Sequence, residues 1–473
     1  MKSRLFPLVP RIAKASHMAG FLTLSAASLI AIAGVGCSSD DDSKPPSNPP
    51  PQNTDTALET RNLTTNRTLT KDKTWIIKGT AFVPSGVTLT IEKGTTIQGE
   101  NSSKGVLVIQ PGAKIIAEGT ADEPIVFTSQ LPEGQRKAGD WGGLILLGKA
   151  PINVAGGSSQ VEGISTGGTY GGSDPGDSSG TLRYVRIEYS GIELSPNNEV
   201  NGVTFGGVGT GTTIDHIQVR HTKDDCFEFF GGTVRAKYLA CQYNQDDGLD
   251  WDNGWTGSVQ YFVLQQDPNV ADDANGFEAD NDAQGSAAEP PSNPKIYNVT
   301  LCGQNRDAAK QQYGMLLRRN TRGQIYNTVV LGFEAGVDIR DKATAANWGK
   351  GLTIQSSIFF GSTGAGLTNA IAYPETGATA PDKDNDKQDD GTLLVEHELL
   401  LNAEYKNSDQ NPNIAGCFDA ANPVFGPATS LTERAAEPPG DGFFDTSAKY
   451  IGAFKDANDT WATTGKWAVW KAD

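Results

Sequence analysis

Residues 213–234, TIDHIQVRHTKDDCFEFFGGTV, and residues 235–257, RAKYLACQYNQDDGLDWDNGWTG, decide the fold when written one above the other. Asp224-Asp225 falls on Asp246-Asp247, Glu228 on Asp250, and Phe227/Phe229 on Leu249/Trp251, each offset by 22 residues. A third row, 258–281, continues the pattern after a short insertion, with Phe277-Glu278-Ala279-Asp280 in register. A fixed repeat of this length with β-type alternation inside each copy is the mark of a solenoid whose copies stack.

The pattern extends in both directions. Upstream, Val87-Leu89-Ile91 and Val106-Val108 alternate, with Gly94 and Gly112 at the turns. Such short strands, broken by Gly or Pro every few residues, predict coils rather than hairpins. Residues 57–74 are expected to close the first coil, because an open end would expose an unpaired β edge. Segment 129–180 reads as one coil carrying a long Gly/Ser-rich surface loop. Regular coils resume at 181 and run to about 370, each opening with an inward set such as Ile214/Ile217/Val219, Val259/Phe262/Leu264, Ile296/Val299/Leu301 or Ile325/Thr328/Val330. The expected fold is therefore all-β: a right-handed, single-stranded parallel β-helix of about ten coils, with an N-terminal cap. The tail, rich in aromatics (Trp461, Trp467, Trp470), is expected to cap the last coil.

Four segments follow from this: 1–37, 38–56, 57–370 and 371–473. The first has Lys2, Arg4, Arg11 and Lys14 ahead of an apolar run and ends in Gly36-Cys37. It reads as an export signal. Small residues before the cysteine resemble a lipobox, with Gly34 where Leu is more usual, so Cys37 is the expected lipidation site. A surface-facing anchor in the outer membrane is then expected, and secretion is the alternative. The Pro/Asp-rich stretch 38–56 cannot build a core and reads as a tether.

The chain carries a net charge of −17, and removing the four cations of the acid-free leader gives −17 − 4 = −21. That balance disfavours nucleic acid and anionic membrane surfaces, leaving the lipid as the only membrane contact, and it favours cations, above all Ca²⁺. A monomer is expected. Cys226, Cys241, Cys302 and Cys417 show no CxxC, and their spacing points to no disulfide framework.

Stacking places equivalent side chains about 4.8 Å apart. Two outward columns result: Thr204, Glu228, Asp250, Glu278, Leu316, Asp338, and beside it Gly206, Phe230, Asp252, Asp280, Arg318, Arg340. Asp224, Asp225, Asp246, Asp247, Asp272 and Asp273 flank them in the turns. Each adjacent carboxylate pair costs roughly 3 kcal/mol at an effective dielectric near 20. A bound Ca²⁺, raised carboxyl pKa values or the following arginines could relieve the repulsion. The competing reading is a solvated acidic ladder screened by salt. Asp382, Asp384 and Asp386 resemble the start of a second calcium loop, although Gly and Glu are missing at its sixth and twelfth positions. Trp251 alternates inward and reads as core. Trp255, in the turn Asn253-Gly254-Trp255, reads as a platform for stacking a sugar ring.

The stretches GVTLTIEKGTTIQG (86–99), GTADEPIVFTS (119–129), GDWGGLILLGKAPIN (139–153), LRYVRIEYSG (182–191), the run 207–234, QDDGLDWDNGWTG (245–257) and YIGAF (450–454) carry a family resemblance. The chain resembles the right-handed β-helix proteins of the pectate-lyase-like superfamily, and more closely a group of secreted or lipid-anchored bacterial surface proteins. The closer group implies no reaction. The superfamily implies two. A polysaccharide lyase would hold Ca²⁺ on Asp250, Asp252, Glu278 and Asp280 and use Arg318 or Arg340 as base. A glycoside hydrolase would use paired carboxylates. Asp224-Asp225-Cys226 is similar to the DDC string of polygalacturonases, but residues 226–380 contain no histidine, so the partner motifs are missing. His216, His221 and His397 form no zinc pattern. The preferred expectation is a non-catalytic surface protein binding extracellular polysaccharide or another surface component, with calcium on Glu228, Asp250, Glu278 and Asp280. The alternatives are an enzyme on anionic polysaccharide and a structural accessory of an outer-membrane transporter or secretion system.

Overall fold

The computed structural model describes residues 56–195, 198–270, 274–306, 312–333, 335–361 and 399–471. Cys37, the tether, and Asp272, Asp273, Asp382, Asp384 and Asp386 lie outside them. Within them the chain is a right-handed parallel β-helix built on two long parallel sheets, one of nine strands and one of 15. The nine-stranded sheet, called the front sheet below, runs through Thr80–Val83, Val106–Ile109, Leu144–Leu147, Val203–Gly206, Phe227–Phe230, Leu249–Asp252, Phe277–Ala279, Met315–Leu317 and Asp338–Ile339. One strand comes from each coil. The back sheet takes the remainder of every coil, including the long strands Gly180–Glu188, Thr213–Arg220, Arg235–Gln242, Ser258–Gln265, Lys295–Cys302 and Gly323–Leu331.

Those long strands are bent, and the bend explains an odd feature of the sequence. Their inward residues are spaced i, i+3, i+5 rather than by strict twos. At the position after the first outward residue stand Tyr184, His216, Tyr238, Tyr261, Asn298 and Asn327, with φ of 50°, 56°, 56°, 66°, 57° and 55°. A left-handed residue turns the strand and resets its alternation, so Ile214, Ile217 and Val219 all point inward and are buried. For a residue with a Cβ this conformation costs roughly 1–2 kcal/mol. Ring stacking offsets it: centroids are 4.3 Å apart for Tyr184/His216, 4.2 Å for His216/Tyr238 and 4.6 Å for Tyr238/Tyr261. Asparagine, which tolerates this region, takes over in the later coils. His221 belongs to a separate aromatic group, stacked on Tyr189 and met edge-on by Tyr243, with centroids 5.2 Å away in each case.

The interior is filled by columns in which one coil's residue lies over the next. Phe205, Phe229, Trp251, Ala279, Leu317 and Ile339 form one such column, and Val203, Phe227, Leu249, Phe277 and Met315 the other. All are buried. Phe229→Ala would leave a cavity between Phe205 and Trp255, whose rings stack on it at 4.9 and 4.1 Å. The expected cost is about 3–5 kcal/mol, read from urea unfolding.

At the N-terminal end Leu58, Leu63 and Leu69 enter the core, closing the first coil as expected. The aromatic C-terminal segment covers the solenoid along its flank. Its backbone bonds to outward side chains of the back sheet in one coil after another: Asn327 to Ala436, Asn298 to Tyr450, Gln260 to Asp445, Gln218 to Val469. Buried Arg220 donates to the Lys471 carbonyl at 2.7 Å. Trp467 and Trp470 are buried against the back sheet with Phe425, Ile451 and Phe454.

Two disulfides are present although the cysteine spacing points to none. Cys226–Cys241 lies inside the solenoid, and Cys302–Cys417 ties the C-terminal segment to the back sheet. Neither pair shares a motif in sequence; each is created by stacking or docking.

Candidate functional site: a buried carboxylate cluster on the front sheet

The backbone register confirms the first outward column residue by residue. Phe82, Val108, Ile145, Thr204, Glu228, Asp250, Glu278, Leu316 and Asp338 are successive partners. In the second, Gly206, Phe230 and Asp252 pair directly. Asp280, Arg318 and Arg340 continue it, each amide donating to the preceding coil at 2.9, 2.9 and 2.8 Å.

The turn before each front strand adds a third row. Asp225 Oδ1 accepts from the Asp247 amide at 2.7 Å, Asp247 Oδ1 from the Asn275 amide at 2.8 Å, and Asn275 Oδ1 from the Tyr313 amide at 3.0 Å. One oxygen of each side chain thus ties coil to coil. Asn275 does this without charge, so backbone tying alone does not call for carboxylates at 225 and 247.

Carboxylate oxygens of neighbouring coils also converge. Three sets of carboxylates each bring three oxygens within 4.8 Å of one another: Asp224, Asp225 and Asp246; Asp225, Glu228 and Asp250; Asp247, Asp250 and Glu278. The sets share Asp225 and Asp250, so they form one chain of oxygen sites along the stacking axis. Asp224 Oδ2 and Asp250 Oδ1 are buried and accept no hydrogen bond.

A cover makes these residues interior. The segment after Leu147 does not stand off as a surface loop. It folds back over the front sheet through a short hairpin, Ser159–Gln160 with Thr169–Tyr170. Its Ile152, Val161, Ile164 and Tyr170 pack on the apolar part of the outer face, Val106, Val108, Ile145, Leu147 and Phe230. Gly163 holds the cover close: at φ 69° a Cβ there would meet Val200 Cγ2 at 2.3 Å and the Glu199 carbonyl at 2.7 Å. This brings Glu162 against Glu228, whose other partner is the Asn201 amide. Glu228, Asp225 and Asp247 are 6%, 5% and 2% exposed, so the solvated-ladder reading fails for them.

Burial and mutual repulsion, in that order, push the carboxyls of Asp225, Glu228, Asp247 and Asp250 well above the usual range. Asp224, beside Glu162, Glu199 and Lys223, is raised to about 7, mainly by burial. Asp252, beside Asp280, Asp282 and Arg319, is also raised to about 7 by burial first. Glu162 is raised to about 7 by burial and then by Glu199, with its hydrogen bond to Glu228 opposing. The sign of the pH effect follows. A carboxyl with a raised folded pKa stabilises the fold below its unfolded pKa and loses that contribution as pH rises through the folded value. In chelator, the melting temperature is expected to fall between about pH 4 and about pH 8. A flat profile in chelator would show that these groups titrate normally.

Downstream the column changes sign, and the arginines are occupied. Arg318 Nε lies 2.9 Å from Asp280 Oδ1, and its Nη2 meets Glu278. Arg319, which the repeat does not single out, binds Asp280 Oδ2 at 2.6 Å. Arg340 pairs with Asp338 at 2.6 Å and lies over the Tyr313 ring. Burial lowers the Arg318 pKa, but Glu278 and Asp280 outweigh it and raise it. A guanidinium held this way keeps its proton, which disfavours the role of general base that the superfamily resemblance implies for it.

Trp255 requires a correction. It is fully buried, stacked on Phe229, with Nε1 donating to the Val234 carbonyl at 3.2 Å. The turn Asn253-Gly254 folds it inward, so it offers no platform. Glu162, Glu199 and Asn201 join the site without any signal in the repeat, because they lie in segments that do not follow it.

A family model described as a pectate-lyase like beta helix domain matches residues 61–393. Comparison with curated proteins and with solved structures returns no match. With coils stacked in parallel register through the described part of the matched span, around an interior of aliphatic and aromatic columns, the chain belongs to the pectate-lyase-like β-helix family.

Proposed function

We propose that this is a bacterial cell-surface β-helix, anchored through lipidated Cys37, that binds extracellular polysaccharide non-catalytically and holds Ca²⁺ in the front-sheet cluster. The observation that carries the reading is the linked set of carboxylate triads with two buried oxygens, on Asp224 and Asp250, that accept no hydrogen bond. Buried charge is tolerated only when paired or metal-bound, and a hard cation taking six to eight oxygens suits a site of carboxylates and carbonyls. Asp225, Glu228, Asp247, Asp250 and Glu278 would hold it. Asp252 and Asp280 belong to none of the three triads, and Asp280 is already neutralised by Arg318 and Arg319. The non-catalytic part rests on those occupied arginines.

The test is calcium titration of chelator-treated protein, followed by calorimetry and thermal melting. At a free calcium concentration a hundred times Kd, the fold gains about 2.7 kcal/mol. Asp250→Asn is expected to remove that gain, since it contributes to two of the three triads. Absence of heat and of any melting shift would overturn the calcium site. Affinity gels of anionic and neutral polysaccharides test the partner. Release of unsaturated uronates or of new reducing ends would replace the binding reading with an enzymatic one.

A further inference from the structure

The segment that covers the front sheet brings a charge of its own to the carboxylate cluster. Glu162 hydrogen-bonds Glu228, a member of the middle triad. It also exerts the strongest charge influence on Asp224, a member of the first. Glu162 therefore faces two of the three triads at once, and it does so from a segment that belongs to no coil.

The packing of the cover is apolar and does not call for an acid. Val161 and Ile164, on either side of Glu162, are 2% and 4% exposed and join the cluster that includes Val106, Val108 and Phe230. At Gly163 the close approach to Val200 and to the Glu199 carbonyl sets the height of the backbone. These contacts press one carboxyl onto another, with Glu199 as a third acidic neighbour. Such a contact persists only with a proton or a cation between the acids. The buried oxygens favour the cation. Asp224 Oδ2, on a side chain 7% exposed, accepts no hydrogen bond, and neither does Asp250 Oδ1 in the triad that holds Glu228. A proton shared by Glu162 and Glu228 leaves both of those oxygens bare, whereas a cation among the triads can take them as ligands.

From this arrangement we infer that Glu162 is a calcium ligand supplied by the cover, so that the bound cation fastens the cover to the coils. The inference rests on the calcium reading of the cluster and adds to it a residue outside the repeat. A triad of carboxylates leaves a cation that takes six to eight oxygens short of ligands, and a glutamate contributes one or two more. Linkage makes the effect mutual: whatever calcium adds to closure of the cover, closure adds to calcium affinity. Calcium thereby governs how firmly the outer face between Val106 and Phe230 is covered.

The experiment uses the purified protein at one neutral pH, with calcium as the only probe. Calorimetry reads affinity. Hydrogen exchange reads the cover through two amides, Val161 donating to the Gly168 carbonyl and Gly171 to the Gly148 carbonyl, each at 3.0 Å. In the parent, saturating calcium is expected to slow both at least tenfold relative to chelator. Glu162→Gln is expected to bind calcium at least tenfold more weakly and to lose the slowing even when saturated. In chelator this variant should melt no lower than the parent, because an amide can donate to Glu228 where two acids met. Equal affinity in parent and variant, or equal slowing of the cover, would overturn the inference alone and leave the calcium cluster standing, with a shared proton joining Glu162 to Glu228. Absence of calcium binding by the parent would overturn the calcium reading and this inference together.

Discussion

Arg318→Ala is expected to lower the unfolding free energy by about 3–5 kcal/mol at neutral pH, because it strands buried carboxylates whose charge it balances. The side chain is itself mostly buried and engages Glu278 and Asp280, of which Asp280 is 6% exposed along its side chain. Removing the guanidinium leaves Arg319, which pairs with Asp280, and the weaker influence of Arg319 and Arg340 on Glu278. The sign with pH is definite. Burial already raises the Glu278 pKa, and Arg318 is the chief opposing influence. Without Arg318 that value rises further, so the variant gains relative stability as acid protonates Glu278, and the deficit shrinks below neutral pH. Calcium should shrink it as well, since Glu278 belongs to the third triad. Arg318→Lys restores charge without the two-pronged geometry and should recover part of the loss. Urea unfolding at two pH values, with and without calcium, reads all of this. A variant as stable as the parent at neutral pH would mean that these ion pairs contribute nothing net. The same geometry implies that a catalytic assay of Arg318→Ala alone would confound loss of fold with loss of function.

The second large effect is expected from the cross-link between the solenoid and its flanking segment. Cys302–Cys417 closes a loop with a sequence separation of 115. In the chain-entropy account a loop near that length contributes about 4.7 kcal/mol through the unfolded state. Replacing both cysteines with alanine should lower unfolding stability by about 2–5 kcal/mol. The change should not spread evenly. The flanking segment also rests on Phe425, Ile451, Phe454, Trp467 and Trp470, so it should stay docked in the variant but open more often. Proteolysis near residues 417–470 under native conditions measures that opening. Equal protection in parent and variant would show that aromatic packing alone holds the segment.

Much of the front sheet is legible in the amino-acid sequence. The 22-residue offset sets which residues stack, and the backbone ladder reproduces both outward columns from Thr204 to Arg340. Alternation correctly sends Phe227, Phe229, Leu249 and Trp251 inward. The inward spacing of the long strands is also visible in the residues, although its cause, a left-handed residue such as His216, is not. The turn rows are less legible. An insertion before Phe277 places Asn275, rather than an aspartate, over Asp247.

The coil, its register and the identity of each outward column follow from the order of residues alone, because they depend on short-range periodicity and on hydrogen bonds between neighbouring repeats. What covers those columns does not. The apolar excursion that buries Glu228 and delivers Glu162, the docking that pairs Cys302 with Cys417 and the inward fold of Trp255 all involve segments with no repeat of their own. Their positions are set in the folded chain by which apolar surface they bury far along the sequence, and non-local burial leaves no period to read.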